Sequence, residues 1–420
     1  MNEAAGAVDL VRIQRRTVGV LALAQVVGAI GITVGVSTAS LLARDISGSE
    51  TLAGLVQTAQ VLGASLASYL MARVMARRGR RIGQVSGLLA GALGALGSVV
   101  AGVLGSMPLL VVSALLLGGT TAANAAARYA ATDLAPPSTR ARDLSVVVWA
   151  TTLGAVLGPN LSGPSGALAV RLNLPELTGP FLLSGVVMAV ACLVVWFLMR
   201  PDPLLTAQSV AAAHDPEHSS VELPGTTLSR ALRAFVEQRA LGAAVLGQAL
   251  AHAVMVAVMI MTPLHMEHGG SELKVIGLVI SLHVLGMYAF SPVFGWVADR
   301  IGRAPVVMAG AVVLLVALLL AGNSPEGHSW HITSGLFLLG VGWSLVTLAC
   351  AATIADRAPL AVRTDVQGVS DTVMGLTAAA GGAISGVVVA QYSYAGLALV
   401  SAVFALGVAA CGTVIWRHSR

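Results

Sequence analysis

Ionisable side chains are scarce in this chain, so the few that fall inside apolar stretches define the chemistry open to it. Only 10% of its 420 residues are charged. His252 and His283 could take up and release a proton, because histidine ordinarily titrates near pH ~6.5. Asp371 and Asp133 are the carboxylates closest to the same stretches. Polar partners recur at helical spacing. Gln248 and His252 are one turn apart, Gln57 and Gln60 share a side, and Gln367 and Asp371 are four residues apart. Thr121, Asn124 and Arg128 form a stripe ending at Thr132 and Asp133, while Trp343, Thr347 and Cys350 form another. In hydrocarbon such groups face a cavity or a partner. Gln25, Gln57, Gln60, Asn124, Arg128, Gln248, His252, His283, Trp343 and Asp371 are therefore candidates to line a solute or proton path. Trp149 and Tyr129 join Trp343 as the aromatic candidates. Packing readings stand beside these: the histidines as hydrogen-bonding glue between helices, and Arg128 snorkelling to an interface. Asp133 and Asp356 each precede an arginine by seven residues across a proline, and local pairing within a turn is the expectation for both.

The elements that must position these groups follow from composition. At 56% hydrophobic, against about a quarter charged in soluble domains, the chain suits a lipid solvent. Twelve segments approach the roughly 20 residues a helix needs to span a bilayer: 18–43, 51–75, 84–106, 108–131, 144–168, 177–199, 239–264, 275–297, 305–321, 331–355, 366–391 and 393–416. The expectation is an all-α membrane protein. With the amino terminus cytoplasmic, one side collects nearly all the arginines and the other keeps only Arg44, Arg171 and Lys274, so both termini are placed inside. Topology thus accounts for the net charge of +5, and nucleic acid is not an expected partner. The first apolar run is too long for a cleaved signal and reads as a retained span. Cys192, Cys350 and Cys411 fall in separate spans and offer neither a disulfide framework nor metal-ligand spacing.

Internal repetition organises the chain further. Adding 223 to a first-half position repeatedly finds a related residue. Arg77, Gly79 and Arg80 map onto Arg300, Gly302 and Arg303. Asp133, Ala135, Pro136 and Arg140 map onto Asp356, Ala358, Pro359 and Arg363. Gly158, Ser162 and Gly163 map onto Gly381, Ser385 and Gly386, and Gln25 onto Gln248. Two six-helix halves, 1–199 and 239–420, related by a parallel pseudo-twofold, are expected. Between them, 200–238 reads as a cytoplasmic linker, first flexible and then a short amphipathic helix at 226–238 with Thr227 as its cap.

The stretch "GWVADRIGR", Gly295 to Arg303, interrupts this apolar background. Asp299 falls near a helix carboxyl end, where a carboxylate is locally unfavourable unless it meets another helix's amino terminus or an arginine. Gly295 permits close helix approach, and Gly302 suits a tight turn. The stretch resembles the loop signature of the major facilitator superfamily, Gly-x-x-x-Asp-Arg-x-Gly-Arg. That resemblance implies a rocking transporter with alternating access and an aspartate that docks between halves, with Arg300 and Arg303 in the same signature. The first-half copy, "ARVMARRGRR", has Ala72 and Ala76 where glycine and aspartate are usual. Asp299 is therefore expected to carry the lock alone, acting on the start of span 5 near Leu144 and on Arg140 or Arg142.

Span 5 contains "GAVLGPNLSG", with Gly154, Gly158, Pro159 and Gly163. Small residues around a proline give a thin, bendable helix, and close packing is the plainer reading. The stretch resembles the span-5 signature of antiporters in that superfamily, with Ser162 replacing one glycine. The resemblance implies exchange, with proton-driven export of a small drug-like solute as the leading expectation. Uptake of a sugar, carboxylate or amino acid with protons is the alternative, and a transporter-like sensor or scaffold is an alternative of another class. An enzyme is not expected: no phosphate loop, paired Cys/His ligands or haem motif occurs. Neither cofactor nor metal is expected. The expected partners are a small-molecule substrate, protons and the lipid of an inner (cytoplasmic) membrane, with the protein a monomer.

Overall fold

The computed structural model describes residues 2–214 and 224–418 and is built from helices. They are α1 (Asn2–Ser47), α2 (Glu50–Leu104), α3 (Met107–Ala130), α4 (Arg140–Arg171), α5 (Gly179–Leu198), α6 (Pro203–His214), α7 (Thr227–Glu237), α8 (Arg239–His268), α9 (Leu273–Tyr288), α10 (Ser291–Ile301), α11 (Arg303–Gly322), α12 (Trp330–Arg357) and α13 (Arg363–Arg417). Two of these are double-length. α2 breaks at Gly79 (φ 82°) and α13 at Ser393 (φ 68°), so each supplies two crossings. With α9 and α10 together forming one, twelve crossings result. Gly79 and Gly302 (φ 95°) are repeat equivalents, and both adopt a positive φ that a side chain disfavours.

Apolar side chains cover the outside. Leu104, Leu319, Leu399 and Val403 are all at least 65% exposed. Water would penalise such a surface, whereas lipid tails do not. Helix ends are set by ordinary capping chemistry. The Ser329 hydroxyl accepts from the Ile332 N–H at 3.3 Å, and Gly105 closes the second arm of α2 in a left-handed conformation, as helix ends favour.

Three sequence expectations are corrected. Span 8 is two pieces, α9 and α10, parted at Ala289–Phe290; Pro292, in the first turn of α10, has no N–H to continue the ladder. The first part of the linker, expected to be flexible, contains the helix α6. Asp202 caps it, its carboxylate accepting from the Leu204 and Leu205 N–H groups at 3.0 and 3.1 Å, and alanine-rich sequence sustains it. Residues 215–223 of the linker lie outside the described residues. The cap of α7 is Thr226, whose hydroxyl accepts from the Ser229 N–H at 3.2 Å, and not Thr227.

Two compact units emerge. One comprises Met1–Ala135, Ala150–Arg230 and Pro359–Thr372; the other comprises Pro136–Trp149, Ala231–Ala358 and Val373–Arg420. The small pieces are repeat equivalents: adding 223 to Pro136 and Trp149 gives Pro359 and Thr372. Each unit thus incorporates the start of a long helix, α4 or α13, from the other sequence repeat.

Candidate functional site

In the second unit, the start of α4 lies against the end of α10. The Asp299 carboxylate accepts from the Ala141 N–H at 3.1 Å and the Arg142 N–H at 2.8 Å. These first-turn donors of α4 have no partner within the helix, and an anion there also meets the positive end of the helix dipole. Arg303 sits 2.7 Å from Asp299 and 3.2 Å from Asp356, and its guanidinium also donates to the Pro137 carbonyl at 3.0 Å. Arg140 closes the network on Asp356 at 2.8 Å. Gly295 makes the approach possible, since a Cβ there would fall 2.6 Å from the Ala141 carbonyl oxygen. Arg142 contributes its backbone while its side chain is exposed, and Arg300 is exposed with its guanidinium over the Trp296 ring.

The first unit holds the repeat-related network, with different contents. Arg80, 1% exposed, donates to Asp133 at 2.8 Å and to the Gln367 side-chain oxygen at 2.6 Å. Arg363 lies 3.8 Å from Asp133. The local pairing expected for Asp133 and Asp356 is therefore corrected. Each takes its arginines from the signature loop and from the other repeat, because the intervening proline turn carries Arg140 and Arg363 away into the exchanged segments. Ala76 offers no carboxylate to the start of α13. Asp365, in the first turn of α13 itself, supplies a buried one, 2.7 Å from Arg230 of α7. The hydrogen bond that Arg230 donates to Asp365 raises its already high pKa, so that guanidinium stays charged. Small-residue packing is also conserved with its sides reversed: a Cβ on Gly368 would meet that of Ala72, as one on Gly295 would meet Ser145.

One turn deeper, Arg128 of α3 forms an ion pair with Asp371 of α13, both buried. Arg128 therefore does not snorkel. Its repeat counterpart is Ala351 and that of Asp371 is Val148, so the pair occurs in this unit alone. Arg80, Tyr129, Gln367 and Asp371 line one narrow cleft. The Gln367 side-chain nitrogen is buried without a partner among the described residues.

Other sequence-predicted residues are placed as follows. Trp343 donates to His252 Nδ1 at 2.9 Å and stands edge-on to Tyr288, with ring centres 5.9 Å apart. His283 is fully buried and bonded through Nδ1 to the Leu336 carbonyl at 2.8 Å, in a helix-joining position between α9 and α12. Gln25 donates to Thr151 at 2.9 Å. Gln60 and Gln248 are buried, Asn124 is half-buried against Gly28, and Gln57 and Trp149 are exposed. Gly154 and Gly158 face α1: Thr33 donates to the Gly154 carbonyl at 3.1 Å, and a side chain on either glycine would collide with Ala29 or Thr33. α4 is helical through Pro159, and Gly163 faces open space. Sequence reasoning missed Arg80, Asp365, Arg230 and Tyr288 as site members. The repeat offset could have found Asp365, since it stands where the other repeat has Arg142.

A family model described as Major Facilitator Superfamily matches residues 21–275 and 244–419. The uncharacterized MFS-type transporter YddS of Bacillus subtilis (strain 168) is 37% identical over 409 residues, which is 97% of this chain and 92% of that protein. The riboflavin transporter RfnT of Brucella anthropi is 29% identical over 372 residues, 86% of this chain and 85% of that protein. Among solved structures, the proton:xylose symporter XylE bound to 6-bromo-6-deoxy-D-glucose matches with TM-score 0.72 at 14% identity, covering 97% of this chain and 96% of that one.

Proposed function

The chain belongs to the major facilitator superfamily, and from that premise we propose that it is a proton-coupled exporter of a small organic solute. It works by alternating access in the cell's inner membrane, with both termini cytoplasmic. The Arg128–Asp371 pair carries this reading. A carboxylate inside a membrane-spanning helix is costly unless paired. Protonation of Asp371 releases Arg128, and re-pairing expels the proton, so one proton changes the contacts between α3 and α13. Neither residue is repeated in the other unit, which suits a single proton site. The Asp299 network supports the gating part of the scheme: its contacts join the start of α4 to α10 in one access state and part in the other. The antiporter-like reading of span 5 rests on its resemblance, and the contacts of Gly154 and Gly158 with α1 are close packing.

Purified protein in liposomes, given a panel of solutes with and without a pH gradient, tests the proposal. Solute movement opposite to the proton gradient is the expected result. In intact cells, an uncoupler should then raise accumulation of a transported dye; a fall would reverse the direction to uptake. A second reading, transport of a solute with a flat ring, is favoured by one arrangement: the Trp343, His252 and Tyr288 group brings ring faces and edges together of the kind that stack on flat rings, and one relative is a riboflavin transporter.

A further inference from the structure

We infer that the lock missing from the first-half signature loop is rebuilt by Asp365 and the linker residue Arg230, which together hold the start of α13 in the first unit. The inference rests on the two-state cycle proposed above. In the second unit the carboxylate comes from α10 as Asp299 and meets the first turn of α4, where position 142 is an arginine. In the first unit the corresponding loop position is Ala76. The residue equivalent to Arg142 is Asp365, which brings the carboxylate in on the docked helix itself, with its side chain 1% exposed.

A carboxylate in a first helical turn meets a favourable dipole, but once buried it requires a cation. Arg230 supplies it at 2.7 Å. The guanidinium is itself fixed by donating to the Gly225 carbonyl at 2.7 Å, and the Thr226 cap anchors that turn of α7. Only one Asp365 oxygen is engaged; the other has no partner among the described residues. The link to α7 is thus what holds this carboxylate. Gly368 facing Ala72 repeats the exchange in packing: the bare residue lies on the docked helix and not on the signature helix. Two departures from the loop signature are matched by two reciprocal residues on α13. The linker is consequently a positioning part of the transport cycle, and Arg230 is its positioning residue.

The test reads access by maleimide labelling at single cysteines in full-length protein whose Cys192, Cys350 and Cys411 are replaced by alanine. Thr364→Cys, buried at the start of α13, reports the first unit. Ser145→Cys, buried at Gly295, reports the second. Arg230→Ala should raise labelling at Thr364→Cys roughly three- to tenfold, while Arg230→Lys restores most of the protection. Moving the acid back, with Ala76→Asp and Asp365→Arg together, should make labelling indifferent to Arg230→Ala. Unchanged labelling at Thr364→Cys in Arg230→Ala, with Asp299→Asn still raising Ser145→Cys, overturns the inference and leaves the cycle standing. Labelling that no variant moves overturns both. A transplant that still depends on Arg230 overturns the exchange of roles.

Discussion

Asp299, Asp371 and Arg80 each act through named partners, and that makes their substitutions readable. Asp299→Asn keeps an acceptor but removes the charge facing the start of α4, a loss of about 0.3–1 kcal/mol, and up to ~2 when partly buried. It should shift the two access states severalfold without unfolding the protein, seen as faster labelling of Ser145→Cys. Asp371→Asn deletes the proposed proton carrier while retaining its shape. Solute exchange between two pools should persist, and acceleration by a pH gradient should vanish. Arg80→Ala leaves Asp133 with only the longer Arg363 contact at 3.8 Å and Gln367 without its donor; removing one partner of a buried pair costs about 3–5 kcal/mol. The melting temperature in detergent should fall clearly, and a fall no larger than that of a surface Arg233→Ala control would remove Arg80 from the network.

At the scale of elements, α4 and α13 do most of the positioning, and both depend on small residues. Gly295→Leu would drive α10 off α4, where overpacking costs about 1–3 kcal/mol. The expected result is faster labelling at Ser145→Cys. The helices themselves were legible, because apolar runs of span length admit little else in a bilayer. Less legible was anything decided by capping or proline. Asp202 turned part of a linker into α6, and Pro292 divided span 8. The partners of Asp133 and Asp356 were illegible for another reason. Sequence spacing suggested Arg140 and Arg363 of their own turns, whereas the exchange of α4 and α13 starts reassigns those arginines across repeats. Arg128 and Asp371 were each candidates to line a path, but 243 residues separate them, and no local pattern pairs residues so distant.

For the whole molecule, duplication is the organising fact. The two networks lie in separate compact units and share no residue, so losses in one should add to losses in the other. Combining Asp299→Asn with Arg230→Ala should multiply their individual effects on steady-state transport and on access. A combined effect no larger than the greater single one would mean that the two networks act as one switch. The repeat also explains why the first-half loop misleads when read alone: Ala72 and Ala76 look like decay until Gly368 and Asp365 are seen opposite them.

That reciprocity bears on how such chains diverge and how they can be recombined. A loop carrying glycine and aspartate, grafted at positions 72 and 76, would face Gly368 and Asp365 unchanged. It would set a void where a methyl had filled the seam, and two like charges at one helix start. Hybrids between relatives should therefore survive only when residues 365 and 368 travel with the loop, so these four positions form one heritable unit spread over both halves of the gene.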